Sequence, residues 1–82
     1  MPNMEDFRKE IMEQLNEAKN EGKEYIDITS GDVHRKLGGY PGRNHAMRTC
    51  CLAMYELMKE KDDVRYAPAS GYGATVEIRY FL

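Results

Sequence analysis

Apolar residues recur at three- and four-residue spacing between residues 4 and 21, where Met4, Phe7, Ile11, Met12, Leu15 and Ala18 form one stripe. That period predicts a helix with a single buried face. Asn3 is placed to cap it, Asp6 lies in its first turn at the positive end of the dipole, and Gly22 can end it in a left-handed conformation. Tyr25-Ile26-Asp27-Ile28 is short, aromatic and β-branched, and predicts a brief strand. Thr29-Ser30-Gly31-Asp32 then opens a second helix, with Thr29 or Ser30 as its capping side chain. Gly38-Gly39 stops that helix after Leu37; Val33 and Leu37 face inward, Arg35 and Lys36 toward water. After the turn Gly38-Gly39-Tyr40-Pro41-Gly42, a third helix is expected from about Arg43 to Lys59. Met47, Cys50, Cys51, Met54, Leu57 and Met58 fall within about 120° of its circumference, and His45, Arg48, Thr49, Leu52 and Glu56 lie opposite. The period then changes to two. Val64 and Tyr66, and later Val76, Ile78, Tyr80 and Leu82, mark two half-buried strands joined by a hairpin loop over Pro68–Gly73.

With 82 residues, 41% hydrophobic and 32% charged, the chain suits one α+β domain over residues 1–82 and is too short for a doubly wound sheet or a barrel enzyme. No apolar run approaches the ~18 residues of a membrane span. The acidic start MPNMEDF lacks a signal peptide's basic and apolar regions, which points to the cytoplasm. Cys50 and Cys51 are adjacent in sequence, a poor geometry for a disulfide, and fit a reducing compartment.

The net charge of −2 is unevenly spread. Residues 1–24 hold seven acidic and four basic side chains, whereas residues 30–55 hold Arg35, Lys36, Arg43 and Arg48 against Asp32 alone. An acidic chain is a poor prior for nucleic-acid binding, and this central reversal is the first reason to question it.

The order helix, strand, short helix, turn, helix, hairpin resembles the winged helix-turn-helix family. The parts that match are Ser30–Leu37, GGYPG, RNHAMRTCCLAMYELMK and the hairpin DVRYAPASGYGATVEIRY. More narrowly, GDVHRKLGGYPGRNHAMRTCC with a later SGYGATVEIRY is similar to a small winged-helix domain of prokaryotic and phage proteins, sometimes attached to restriction-type or HNH-type endonucleases. No nuclease segment is present in the chain.

The resemblance implies a winged helix of three helices, a short strand between the first two, and a C-terminal hairpin wing. It implies a non-enzymatic module that reads the major groove of duplex DNA with helix 43–59 and the backbone with the 68–73 wing. Arg43, Asn44, His45, Arg48 and Thr49 would face the groove, since Arg and Asn can form paired hydrogen bonds to guanine and adenine. Arg35 and Lys36 would contact phosphates, and Tyr72 would stack on a sugar, donate to a phosphate, or pack on its own strands. Winged helices also serve as protein-interaction or dimerisation modules. The acidic first helix and a wing tip without Lys or Arg argue against tight DNA binding; Leu52 suits a thymine methyl as well as a partner protein, and a dimer could form through Leu52 or the outward Phe81.

Other chemistry finds little footing. His34, His45, Cys50 and Cys51 contain no CxxC pair, so neither a metal site nor a cofactor is expected. His45 and Cys50 lie about 140° apart around a helix, which does not suit a nucleophile and its base, so no catalytic residue is assigned. Ser70-Gly71-Tyr72-Gly73 joins two strands and lacks a lysine, unlike a phosphate-binding loop, and no small-molecule substrate is evident.

Overall fold

The computed structural model describes residues 2–38 and 45–82. Its elements in chain order are α1 (Met4–Asn20), β1 (Tyr25–Thr29), α2 (Ser30–Leu37), α3 (Met47–Glu56), β2 (Asp63–Tyr66) and β3 (Glu77–Phe81). Three helices cover one face of a three-stranded antiparallel sheet of order β1-β3-β2, an α+β arrangement.

Local signals set both ends of α1. The Asn3 side chain accepts from the Asp6 N–H at 2.9 Å, while the Asp6 carboxylate accepts from the Asn3 N–H at 2.9 Å, a reciprocal capping box. At the other end, Gly22 has φ of 79°, and the N–H groups of Lys23 and Gly22 donate to the carbonyls of Ala18 and Lys19. This is a Schellman closure, which needs the positive φ that glycine tolerates.

Phe7 and Ile11 of α1 are buried with Ile28, Val33, Met54, Val76, Ile78 and Tyr80 in one core. Met12, expected in the same stripe, is 43% exposed. Glu10 is instead buried, because Gln14 donates to its carboxylate at 2.8 Å and the Lys36 ammonium stands 3.1 Å away. A carboxylate is tolerated there because both partners meet it.

Central β3 alternates cleanly. Ile78 and Tyr80 point to the helices, and the buried Tyr80 hydroxyl donates to the Met54 carbonyl at 2.7 Å. On the open face, Arg79 lies opposite Asp27 and makes two hydrogen bonds to it, at 2.8 and 3.0 Å, with its guanidinium 4.0 Å from the Tyr25 ring centre. The same guanidinium holds the Asp27 carboxyl below the usual carboxylate range. Strand β2 is exposed along its whole length rather than half-buried. It is an edge strand, and its register against β3 shifts between Val64 and Tyr66, where Arg65 bulges and pairs with Asp63 at 3.1 Å.

The start of α2 differs from expectation in its cap. Thr29 stands at the N-cap without a side-chain bond, and the Ser30 hydroxyl donates to the Gly73 carbonyl. The free N–H groups of Ser30 and Gly31 donate to the carbonyls of Val76 and Ala74, each at 2.9 Å. The chain before β3 therefore caps α2 from a distance, in place of a local side chain.

Gly31 lies against that segment: a Cβ there would stand 2.8 Å from the Ala74 carbonyl oxygen. Gly31→Ala is expected to lower the urea midpoint at unchanged slope, a loss of about 1–3 kcal/mol from overpacking. Helix propensity alone favours alanine by about 1 kcal/mol, so an equal or higher midpoint would show that the contact does not constrain α2.

Candidate functional site

The surface singled out by sequence lies at the start of α3. The helix begins at Met47, not Arg43, and ends at Glu56, not Lys59. Its start is fixed from another element. Ala46 has a non-helical backbone (φ −111°, ψ 46°), and its N–H donates to His34 Nε2 at 2.9 Å. His34 is fully buried on α2, with the Phe7 ring edge-on at 5.0 Å. His45 precedes the helix, and its Nδ1 accepts from the Met47 N–H at 3.2 Å. Two imidazoles thus receive backbone donors where α3 begins, and His45 is not on the helix face expected for it.

The far end is closed by Asp62. Its carboxylate accepts from the Lys59 N–H and the Phe81 N–H, each at 2.8 Å, and so stitches a turn to β3. That turn replaces the expected last helical residues.

The loop between β2 and β3 folds back onto α3. The Tyr55 hydroxyl donates to the Gly71 carbonyl at 2.6 Å. The Cys51 thiol donates to the Gly73 carbonyl at 3.3 Å, and the Gly73 N–H approaches the same sulfur at 3.5 Å. Gly71 has φ of 82° and Gly73 of 153°, so the turn uses backbone that other residues rarely adopt. Tyr72 then meets Tyr55 edge to face at 6.2 Å, and the Arg48 guanidinium lies 4.3 Å from the Tyr72 ring centre. Tyr72 therefore packs on α3, not on its own strands.

The expected site residues divide as follows. Arg48 and Tyr72 are brought together, with Thr49 half-buried beside Arg48 and Leu52 exposed one turn on. Arg35 pairs with Asp32 at 2.7 Å near the same loop, since both its guanidinium and Ala74 close around Gly31. Lys36 turns the other way, to Glu10 on α1. Arg43 and Asn44, with most of the glycine-rich turn, lie outside the described residues. Sequence reasoning missed Tyr55, although Arg48, Cys51 and Tyr55 fall at helical spacing and form the stripe on which the loop rests.

Among the described residues, no three His, Cys, Asp or Glu side chains converge on a point that a metal ion could occupy. No helix among them is long and apolar enough to cross a membrane. Cys50 and Cys51 are both free and buried. Comparison of the chain with family models, curated proteins and solved structures finds no match.

Burial raises three proton-bearing groups behind this surface. The Cys50 thiol is pushed up to about 12, with the neighbouring Cys51 adding to the effect. The Tyr80 and Tyr55 hydroxyls also rise, again chiefly by burial. Between the unfolded and folded values, the folded chain holds a proton that the unfolded chain has released. The stability Cys50 lends is thus complete below the unfolded thiol value of ~9 and falls as pH rises above it, and the two tyrosines act in the same sense from a higher pH. Urea unfolding is expected to weaken above pH ~9 by up to about 1.4 kcal/mol per pH unit from Cys50. Cys50→Ser should make the decline shallower, and the same steepness in the variant would remove Cys50 from this account.

Proposed function

We propose that this domain is a winged helix that binds duplex DNA without catalysing a reaction or requiring a cofactor. The strand order β1-β3-β2, the element order and the position of the β2–β3 loop beside α3 support that fold. The observation that carries the binding reading is Arg48. Arg8, Arg35, Arg65 and Arg79 each have a carboxylate within 4.0 Å, whereas Arg48, among the described residues, rests on an aromatic ring instead. Its charge is uncompensated, its side chain is exposed, and the first turn of α3 holds no acidic residue. Tyr72 holds the guanidinium between helix and loop, where the two elements would together meet a phosphate backbone. Arg43 and Asn44, just before α3 in sequence, would extend this surface toward base edges, with His45 and Thr49 beside them and Arg35 at a phosphate. Lys36 is the weakest member of the set, because Glu10 already engages it. Two buried free thiols suit a reducing cytoplasm.

A second reading has its own support. Leu52 is 37% exposed on the same surface, and Tyr25, Tyr66 and Phe81 are exposed on the sheet. These would suit a partner protein or a second copy of the chain.

Titrating a short duplex into labelled protein separates the two. Amide shifts at residues 45–52 and 70–73 that weaken with salt are expected for DNA. Arg43→Ala with Arg48→Ala should weaken binding at least about tenfold and flatten the salt dependence by about two phosphate contacts. Binding unchanged in that variant would sink the groove assignment. No shifts at any salt, together with a concentration-dependent dimer, would favour the second reading.

A further inference from the structure

An open groove of about 410 Å³ runs between the C-terminal half of α1 and the segment following α3, with the end of β3 as its floor. This is near the lower end of the ~300–1,000 Å³ typical of ligand sites. Its apolar surface comes from Met12, Leu15, Leu57 and Leu82, of which Met12 is 43% exposed, with the buried Tyr80 behind them. Lys19 stands on the α1 bank, and Lys59 and Lys61 on the opposite one. Lys23 and Lys36 each have a carboxylate within 4.0 Å, but among the described residues none of these three lysines does. Asp62 is the one acidic side chain in the lining, and both of its oxygens already accept backbone N–H groups. A chain of net charge −2 has therefore gathered uncompensated positive charge on both sides of an apolar strip.

We propose that this groove docks an acidic amphipathic segment of a partner protein, apolar side chains inward and carboxylates on both flanks. The lysine placement selects that occupant. A fatty acid presents one charge at one end, whereas lysines on two banks match carboxylates on either side of an apolar stripe, as on one face of a helix. Met12 supplies an unbranched, adaptable contact suited to such a surface. Leu57 lies nine residues beyond Arg48, roughly 14 Å along a helix axis, so the groove and the Arg48 surface can be occupied together. The groove argument is independent of the DNA reading.

The probe is a fluorescein-labelled peptide of leucine and glutamate, its leucines at i, i+3, i+4 and i+7, read by anisotropy against the full chain. Binding is expected to weaken with salt, and amide shifts should fall on Leu15, Lys19, Leu57, Lys61 and Phe81. The combined variant K19E, K59E and K61E should bind at least about tenfold more weakly, equivalent to ~1.4 kcal/mol. An amide spectrum otherwise like the parent's would confirm its fold. Arg48→Ala should leave peptide binding unchanged. The proposal is overturned by no binding, by equal binding to the lysine variant, by equal binding of the matching leucine–lysine peptide, or by shifts confined to residues 48–52 and 72. Binding of dodecanoate or phosphatidylglycerol vesicles without binding of the peptide also overturns it.

Discussion

Three backbone carbonyls just ahead of β3 hold the molecule's parts in place. Those of Ala74 and Val76 receive the first free N–H groups of α2, and that of Gly73 receives both the Ser30 hydroxyl and the Cys51 thiol. One short stretch of chain thus satisfies donors from two helices while continuing directly into the central strand. Groups of this kind are costly to bury without partners, so the loop's position and the helix positions are decided together. The Arg48–Tyr72 contact follows from this: with Gly71 and Gly73 tied to α3 by Tyr55 and Cys51, Tyr72 has α3 beside it.

Elements with local causes were legible in the sequence. The stripe of α1, its Asn3–Asp6 cap and its Gly22 stop are all read from neighbouring residues, as are the end of α2 and the alternation of β3. What escaped were features set by residues far away in the chain. The start of α3 depends on a buried histidine twelve positions earlier. The burial of Glu10 depends on Lys36, and the exposure of β2 on its place at the sheet edge. Periodicity records which face of an element is apolar, but not what will stand opposite it. The candidate site divides in the same way: the winged-helix resemblance marked Arg48 and Tyr72 separately, and only the folded-back loop makes them neighbours.

Charge is organised by the same packing. Most arginines serve as internal fasteners: Arg8 reaches Glu56 across α1 and α3, and Arg79 locks β3 to β1 through Asp27. Among the described residues, basic groups without a carboxylate within 4.0 Å include Arg48 beside the loop and three lysines around the groove, with Lys9 apart from both on α1. The sequence total of −2 conceals this division, because neutralised and unneutralised charges count alike in a sum.

The bulge at Arg65 bears on how the molecule behaves in a crowded solution. A sheet with helices on one face only leaves its outer strand free to recruit further chains, and flat outer strands template fibrous aggregates. Here the ladder is interrupted after Val64, and the outer strand carries the Asp63–Arg65 pair, with Pro68 two residues beyond its end. A second chain aligned along β2 would meet a kinked backbone and charged side chains in place of a continuous row of donors and acceptors. The irregularity thus works against edge-to-edge pairing of one chain with another.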